Sequence, residues 1–402
     1  MNRGFFSSSQ LIQTGKPVPT IARCGLCGLY KQCQSPKMKP FGEGRMKILV
    51  VAEAPGSNED KEGRPLIGIS GMHLETTLKN IGVNMTRDCW RTNAVICHPK
   101  DNKTPDSDKI QACYPNLVKT INELKPNVII LLGGIAIESF IGPLWKEKLE
   151  GVNRWVGWCI PCQKVNAWVC PTYHPSYLKR MHDQTLDMFF KKHLHQAVLK
   201  AKNKPFDTVP DYRNEIETIF NPSKAAKAIK NITKQEGVIA FDYETNTLKP
   251  DPNYAQIVSC SVCHNGKRTI AFPWTLEPIE AMVELLKSDA KKIASNMKFE
   301  DRWTKSKLGF HIKHWFWDTM IAAHILDNRP NISSLKFQSL VLLGVEKYDL
   351  HIKPYLEAQY AERNRIKELD LKDLLIYNGL DSLLEYKVAM KQMKILNRRQ
   401  TQ

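Results

Sequence analysis

The stretch "KILVVAEA", residues 47–54, is a run of apolar residues that ends in a loop and predicts a buried strand. Two later stretches repeat the pattern. "PNVIILLGG", 126–134, runs into Gly-Gly and is followed by a helical sequence, "IAIESF". "WVCPTYHPSYLKR", 168–180, predicts a strand that breaks at Pro171 and a helix that begins after Pro175. Strands that alternate with helices predict an α/β fold with a mainly parallel sheet, whose functional loops lie at the carboxyl ends of its strands.

A second α/β pattern begins at "GVIAFDYETN", residues 237–246. The stretch "IVSCSVCHNGKRTIAFPW", 257–274, predicts strand structure with an exposed turn, and helices are expected from there to the end. A Pro-bearing polar piece, "NKPFDTVPDY" at 203–212, interrupts the Lys- and His-rich helical region before it. We therefore expect two domains, residues 1–200 and 236–402, joined by a linker and helical connector at 201–235.

The composition indicates a soluble protein that binds nucleic acid. Of 402 residues, 42% are hydrophobic and 25% charged, and 58 Lys and Arg against 41 acidic residues give a net charge of +17. No apolar run is long enough for a membrane span, and the first residues lack a signal-peptide pattern, so we expect a cytoplasmic location, in the host cytoplasm if the protein is viral. Eleven cysteines in such a chain indicate metal binding more than disulfides. Three of them, in "CIPC" at 159–162 and at Cys170, are expected to be reduced thiols on a hairpin.

The N-terminal stretch "IARCGLCGLYKQC" contains a Cys-x-x-Cys pair, Cys24 and Cys27. Two thiolates at this spacing can hold one metal centre, but a closed site usually needs four. Cys97 and Cys113, sixteen residues apart, can complete the set. A four-thiolate zinc site and an iron–sulfur cluster both remain open on these residues alone.

Three motifs resemble, in order, those of the iron–sulfur uracil-DNA glycosylases of the family 4 type. They are "AEAPGSNEDKEGRPLIGISG" at 52–71, "TNAVICHP" at 92–99 and "PTYHPSYLKR" at 171–180. The resemblance covers roughly residues 20–185 and implies that a [4Fe–4S] cluster is bound by four cysteines, namely Cys24, Cys27, Cys97 and Cys113. The cluster is expected to be structural.

The resemblance also implies a pocket for a base flipped out of DNA. Asn93 is suited to reading the edge of uracil, His174 to stabilising the charge that develops on its O2, and Glu53 to orienting water or stabilising the sugar cation. Glu59 is expected to lie in the uracil-facing loop, and two arginines, Arg64 and Arg180, are expected to contact DNA.

One position departs from the family pattern. The family usually has an aromatic residue in "GRPF", where this chain has "GRPL" with Leu66. Loss of base–aromatic stacking costs about 1–3 kcal/mol. The domain is therefore a weak glycosylase, a reader of another base or a DNA-binding remnant.

The C-terminal half contains spaced acidic residues. Asp242 and Glu244 in "FDYET" are two apart on a predicted strand, so both side chains lie on one face, where two like charges favour a bound cation. "NMKFEDRW" contributes Glu300. "YNGLDSLLEY" contributes Tyr377 and Asp381, which share a helix face because they are four residues apart.

This ordered set resembles the three motifs of DEDD-type 3′–5′ exonuclease domains, tyrosine subclass, of family A DNA polymerases in their phage-type versions. The resemblance covers about residues 236–395 and implies an RNase H-like fold and two Mg²⁺ or Mn²⁺ ions. Asp242 would bridge both ions, Glu244 and Asp381 would hold the first, and Glu300 would support the second, although the family usually has Asp there. Tyr377 would orient the attacking water.

Two further residues near the second motif, Asn296 and Lys298, are expected to contact DNA. The motif's Asp301 is expected to point away, because a helix turns it about 100° from Glu300.

No polymerase region follows the third motif in the sequence. We therefore expect a split proofreading component of a phage replication or repair system that acts on single-stranded 3′ ends, uracil-containing ones included, with a separate DNA polymerase. Two alternatives remain open: an active bifunctional glycosylase and exonuclease, and a replisome scaffold without catalysis.

Overall fold

The computed structural model describes residues 21–358 and 362–400. The chain divides into two compact units between Val209 and Pro210, and residues 344–346 group with the first unit. In the described part of the chain, every helix is too short or too polar to span a membrane.

The first unit is built on a five-stranded sheet with the strand order β2-β1-β3-β5-β4. Its strands are β1 (Ile48–Ala52), β2 (Cys89–Asn93), β3 (Val128–Leu132), β4 (Ile160–Cys162) and β5 (Ala167–Thr172). Only the edge strand β4 runs antiparallel to its neighbour; the other pairs are parallel. All residues of β1 and β3 are buried, as expected for parallel strands covered by helices. The predicted mainly parallel sheet is confirmed.

Helices cover this sheet. They are α1 (Cys24–Cys27), α2 (Ser57–Glu62), α3 (Ile69–Lys79), α4 (Met85–Asp88), α5 (Ser107–Leu124), α6 (Gly133–Trp145), α7 (Pro175–Met181) and α8 (Gln184–Lys200). Short 3₁₀ helices lie at Leu29–Gln32, Lys100–Asn102 and Val152–Arg154. The start of α7 follows from its sequence: His174 is the N-cap, its ring nitrogen accepts from the Ser176 N–H, and Pro175 occupies the first helical position.

The second unit contains a six-stranded sheet with the order β11-β10-β7-β8-β9-β6. The strands are β6 (Ile216–Thr218), β7 (Val238–Thr245), β8 (Ile257–His264), β9 (Arg268–Pro273), β10 (Lys291–Ala294) and β11 (Trp315–Asp318). Strands β7, β8 and β9 form an antiparallel meander, while β10, β11 and β6 pair in parallel with their neighbours. The antiparallel β8–β9 pair confirms the strand structure and turn expected at 257–274.

The helices of the second unit are α9 (Pro222–Thr233), α10 (Leu276–Lys287), α11 (Met297–Leu308), α12 (Thr319–Leu326), α13 (Leu335–Leu343), α14 (Lys353–Leu356) and α15 (Leu371–Gln400). Two 3₁₀ helices lie at Tyr212–Glu215 and Ile366–Glu368. The long helix α15 packs across the sheet, against strands β6 to β10, and thereby brings its face to the carboxylates of β7.

Two details differ from the sequence-based expectation. Helices were expected after residue 274, but β10 and β11 lie there; each has only four residues, and β10 begins with two lysines, so neither shows a clear strand pattern. The segment 201–235, expected to be a linker and connector, contains β6 and α9, which belong to the second unit. Its amphipathic helix buries alanine and isoleucine side chains in the core of that unit.

The core of the second unit depends on buried aromatic packing. Phe241 on β7 is fully buried and stacks on Trp315, with 5.7 Å between ring centroids. Phe241→Ala is expected to lower the free energy of unfolding of this unit by about 3–5 kcal/mol, because it leaves a cavity. Phe316→Ala, at a ring that is 41% exposed, is the control and is expected to cost about 1 kcal/mol. Urea unfolding of both variants measures the difference; equal losses would contradict the packing argument.

Candidate active sites and cysteine cluster

Three carboxylates meet at the centre of the second sheet. Asp242 and Glu244 project from one face of β7, and Asp381 reaches them from α15; one oxygen of each lies within 4.8 Å of the others. Burial, and then the charge of Asp381, raises the pKa of Asp242 well above its usual range. Burial, and then the charge of Asp242, does the same to Glu244. Such a cluster is costly without positive charge, and its oxygen atoms are the ligands that Mg²⁺ and Mn²⁺ prefer.

A lysine that the sequence patterns do not indicate lies beside this cluster. The Lys336 ammonium donates to both oxygens of Asp381, at 2.9 and 2.7 Å, and to the Tyr377 hydroxyl, at 3.0 Å. The Tyr348 hydroxyl also donates to Asp381. Burial alone would lower the pKa of Lys336, but the charges of Asp381 and neighbouring carboxylates raise it overall. Lys336 therefore stays charged and fixes the orientation of both Asp381 and Tyr377.

Asn378 holds Asp242 from the other side. Its side-chain amide donates to the Asp242 carboxylate at 2.7 Å and to the Asp242 carbonyl at 3.2 Å. Two serines of β8 fix Asn378 in turn: Ser259 donates to its side-chain oxygen at 2.9 Å, and Ser261 donates to its backbone carbonyl at 2.7 Å. The first carboxylate is therefore oriented by a buried polar network. The sequence offers one signal for the role of Asn378, namely that it directly follows Tyr377.

Glu300 is buried in the first turn of α11, and burial, followed by the charge of Asp242, raises its pKa. The loop before it is held by Asp318, which accepts from the backbone N–H groups of Asn296 and Met297 at 3.2 and 2.9 Å. Asn296 has a left-handed backbone, with φ of 72°. Lys298 is exposed, as a phosphate-contacting residue must be.

The neighbouring acid, Asp301, is engaged elsewhere, as expected. Its carboxylate accepts from the Ile312 N–H at 2.8 Å and contacts the His311 ring at 2.7 Å.

In the first unit, the three proposed base-site residues follow neighbouring parallel strands. Glu53 follows β1, and Asn93 ends β2, where its backbone pairs with Ala52. His174 follows β5, on the far side of β3. Since the carboxyl ends of parallel strands share one edge, we expect these side chains to lie at the same edge of the sheet. Burial raises the pKa of Glu53, while Thr104 and Arg180 oppose this.

His174 is held in a neutral state. Burial, and then the charge of Arg180, lowers its pKa to about 4. Its Nδ1 accepts from the Ser176 N–H at 3.2 Å and lies 2.8 Å from the Ser176 hydroxyl. The backbone of Gly133 passes so close that a Cβ there would lie 2.8 Å from His174. A neutral imidazole at this place can serve as a hydrogen-bond donor through Nε2.

Glu59 was expected in a loop but lies in the first turn of α2, from where it closes the following loop that contains Leu66. The Glu59 carboxylate accepts from the backbone N–H groups of Gly56, Ile67 and Gly68 at 3.1, 3.0 and 2.7 Å. Leu66 is 5% exposed and has φ of 57°, a left-handed conformation that is strained for leucine. Glu59 thus holds the loop in shape, and its predicted contact with a base stays a prediction.

The two arginines proposed to contact DNA are exposed. Arg64 pairs with Glu62 at 3.3 Å, and Arg180 donates to the Ser176 hydroxyl at 3.3 Å. Both are free to turn toward a phosphate, because surface contacts of this kind contribute little energy.

Four cysteines line one pocket: Cys24, Cys27, Cys97 and Cys113. Backbone N–H groups point at two of the sulfur atoms, from Lys37 to Cys97 at 3.3 Å and from Ile96 to Cys113 at 3.4 Å. Such donors suit thiolate ligands of an iron–sulfur cluster.

Each of the two domains matches the model of a known protein family. Residues 39–198 match the model of the uracil DNA glycosylase superfamily, and residues 216–396 match that of the 3′-5′ exonuclease domain found in family A polymerases. The type-4 uracil-DNA glycosylase of Pyrobaculum aerophilum is 37% identical over 164 residues, which are 40% of this chain and 81% of that protein. The N-terminal domain belongs to the uracil-DNA glycosylase superfamily. The C-terminal domain is a 3′–5′ exonuclease domain.

Two further relatives match more remotely. A DNA polymerase of Bacillus phage SP01 is 22% identical over 328 residues, which are 74% of this chain and 34% of the polymerase. The catalytic core of RRP6 from Trypanosoma brucei superposes with a TM-score of 0.36 at 16% identity, over 46% of this chain and 48% of that one.

The two families define what the chain binds in general terms. Both domains are of DNA-binding types, and the exonuclease domain implies divalent metal ions at its carboxylates. The glycosylase domain has the four cysteines lining one cavity.

The glycosylase domain is expected to keep His174 neutral well below neutral pH. Its ring resonance in NMR should titrate near pH 4 and should be absent in His174→Gln. In the unfolded chain His174 takes up a proton near pH 6.5, whereas in the folded domain it does so near pH 4. The free energy of unfolding should therefore fall as the pH drops from 6.5 to 4, and it should fall less in His174→Gln. A His174 resonance that titrates near pH 6.5 would contradict the burial argument.

Proposed function

We propose that this protein is a 3′–5′ DNA exonuclease that uses two Mg²⁺ or Mn²⁺ ions and is fused to a glycosylase-like DNA-binding domain. The observation that carries the proposal is the meeting of Asp242, Glu244 and Asp381 within 4.8 Å in an exonuclease domain. Two divalent ions at such carboxylates supply a hydroxide nucleophile and stabilise the leaving 3′ oxygen.

Each residue has a separate task in this proposal. Asp242, which Asn378 orients, would bind both ions, and Glu244 and Asp381 would complete the ligands of the first. Lys336 holds the Tyr377 hydroxyl beside Asp381. The hydroxyl can there accept a hydrogen bond from the attacking water or donate one to it. Binding of the single strand relies on exposed cations such as Lys298.

The biological setting is proposed to be phage-type DNA replication or repair, in the cytoplasm of a host cell. The resemblance to the phage DNA polymerase supports this, because an alignment over 74% of the chain includes parts of both domains. This chain spans about a third of that polymerase. We therefore propose that it acts with a separate DNA polymerase, trimming unpaired 3′ ends.

The exonuclease proposal is tested with 3′-labelled single-stranded DNA. Release of nucleoside 5′-monophosphates is expected only with Mg²⁺ or Mn²⁺, and Asp242→Ala should abolish it because this residue serves both ions. Tyr377→Phe should slow cleavage by about ten- to a hundredfold, since it removes one hydrogen bond and no metal ligand. Asp242→Ala that cleaves at the wild-type rate, in protein free of host nucleases, would refute the site.

We also propose a [4Fe–4S] cluster with a structural role in the first domain. The purified protein should be brown, absorb broadly near ~400 nm and contain about four irons per chain. Cys113→Ser should reduce the iron content and the thermal stability of the first domain, whereas Cys159→Ser should leave both unchanged. One zinc and no iron in anaerobically purified protein would favour the zinc site instead.

Uracil excision is the second candidate function, because Glu53, Asn93 and His174 lie at or just after the carboxyl ends of parallel strands of the first sheet. The wild-type rate is expected to be low because Leu66 cannot stack on uracil. Leu66→Phe should raise uracil release by about ten- to a hundredfold, and Leu66→Ala should not. Release from uracil-containing single-stranded DNA measures this; strong wild-type excision that Leu66→Phe leaves unchanged would contradict the stacking argument.

A further inference from the structure

A fifth carboxylate lies at the exonuclease site, four residues after Asp381 within the third motif. Glu385 follows Asp381 by four residues on α15, so both side chains share a helix face. Its side chain is buried, with 1% of the residue exposed. One oxygen accepts from the Ser295 N–H at 3.1 Å. The other oxygen is buried and has no hydrogen-bond partner.

The contact with Ser295 places Glu385 beside Asp242. In the parallel pairing of β10 with β7, Ile293 lies opposite Ala240. Two residues farther along each chain are Ser295 and Asp242, at the same level of the sheet. The charges of Asp242, Glu300 and Asp381 all act on Glu385, after burial, to raise its pKa well above the usual range.

Glu300 is in the same condition as Glu385. It is 2% exposed, and one of its carboxylate oxygens is also buried without a partner. Asp242 is the strongest charge acting on each of these two glutamates. Within residues 21–358 and 362–400, neither forms an ion pair, and the hydrogen bonds that Lys336 makes in the site go to Asp381 and Tyr377.

Two buried carboxylate oxygens without partners are costly unless a cation or a proton satisfies them. A site for the first ion already exists at Asp242, Glu244 and Asp381. Two-metal sites need a second set of oxygen ligands about 3.5–4 Å away, with one carboxylate shared. Near the end of β10, Glu300 and Glu385 each have a buried carboxylate oxygen without a partner.

We propose that Glu385 is a direct ligand of the second metal ion and that it completes, with Asp242 and Glu300, an oxygen site for Mg²⁺ or Mn²⁺. Its second carboxylate oxygen binds the ion while its first holds the Ser295 N–H. This inference rests on the proposed two-metal nuclease function and adds a ligand to the four carboxylates that the resemblance implies. It also explains how a glutamate can stand at position 300, since Glu385 supplies a second carboxylate to an ion displaced by the longer side chain.

The test is Mn²⁺ binding by the full-length protein, measured by calorimetry and by the EPR signal of free Mn²⁺, without DNA. The variant is Glu385→Gln, whose amide oxygen can still accept from Ser295. The matched control is Asp349→Asn, which removes a nearby negative charge that acts on Lys336 and Tyr348. The wild type is expected to bind two Mn²⁺. Glu385→Gln should weaken the second site at least tenfold and leave the first within twofold, and Asp349→Asn should leave both within twofold.

Glu300→Gln is a second variant that should weaken the same site, and the double variant should lose no more than either single change. Two sites of wild-type affinity in Glu385→Gln would overturn the inference and leave Glu385 as an anchor for Ser295 or a partner in a shared proton. A wild-type protein that binds one Mn²⁺ would also overturn it. A wild-type protein that binds none would instead contradict the proposed nuclease function.

Discussion

Four carboxyl groups are crowded around that of Asp242, and the mutual repulsion of the five is the constraint on which the second domain depends. Two unit charges 4.8 Å apart repel by about 3–4 kcal/mol at an effective dielectric constant near 20. Four of these groups, Glu244, Glu300, Asp381 and Glu385, are less than a tenth exposed, so water offsets little of this repulsion. The domain tolerates the cost because its packing and hydrogen bonds fix the carboxylates where cations can join them.

The surrounding structure is arranged around this constraint. Lys336 supplies one positive charge at Asp381 and at the same time holds the Tyr377 hydroxyl. Asn378 and its two serine partners hold Asp242 without adding charge. Asp318 fixes the backbone ahead of Glu300. The metal ligands are therefore preorganised, which lowers the cost of binding ions and a substrate phosphate.

The polar groups of the glycosylase domain lie where parallel strands end. Burial keeps His174 neutral there, so this domain does not concentrate charge as the second domain does around Asp242. The Glu59 carboxylate closes the loop through three backbone N–H groups and holds Leu66 in a left-handed conformation. The shape of the pocket is thus maintained although its stacking residue differs from the family pattern.

Local spacing in the sequence was enough to predict the fold and the three carboxylates that meet. The two-residue period places Asp242 and Glu244 on one face, and the four-residue spacing joins Tyr377 to Asp381. The roles of Lys336 and Glu385 were not predicted, because only tertiary packing brings α13 and the later turn of α15 to the carboxylate site. The short strands β10 and β11 were missed because their four residues carry too little pattern.

The central claim is that metal ions bind at Asp242. Anomalous X-ray diffraction from crystals soaked in Mn²⁺ would locate them directly. We predict anomalous density in contact with Asp242, Glu244 and Asp381, with Lys336 still bonded to Asp381. Ordered Mn²⁺ elsewhere in the crystal, but none at these three carboxylates, would contradict the account.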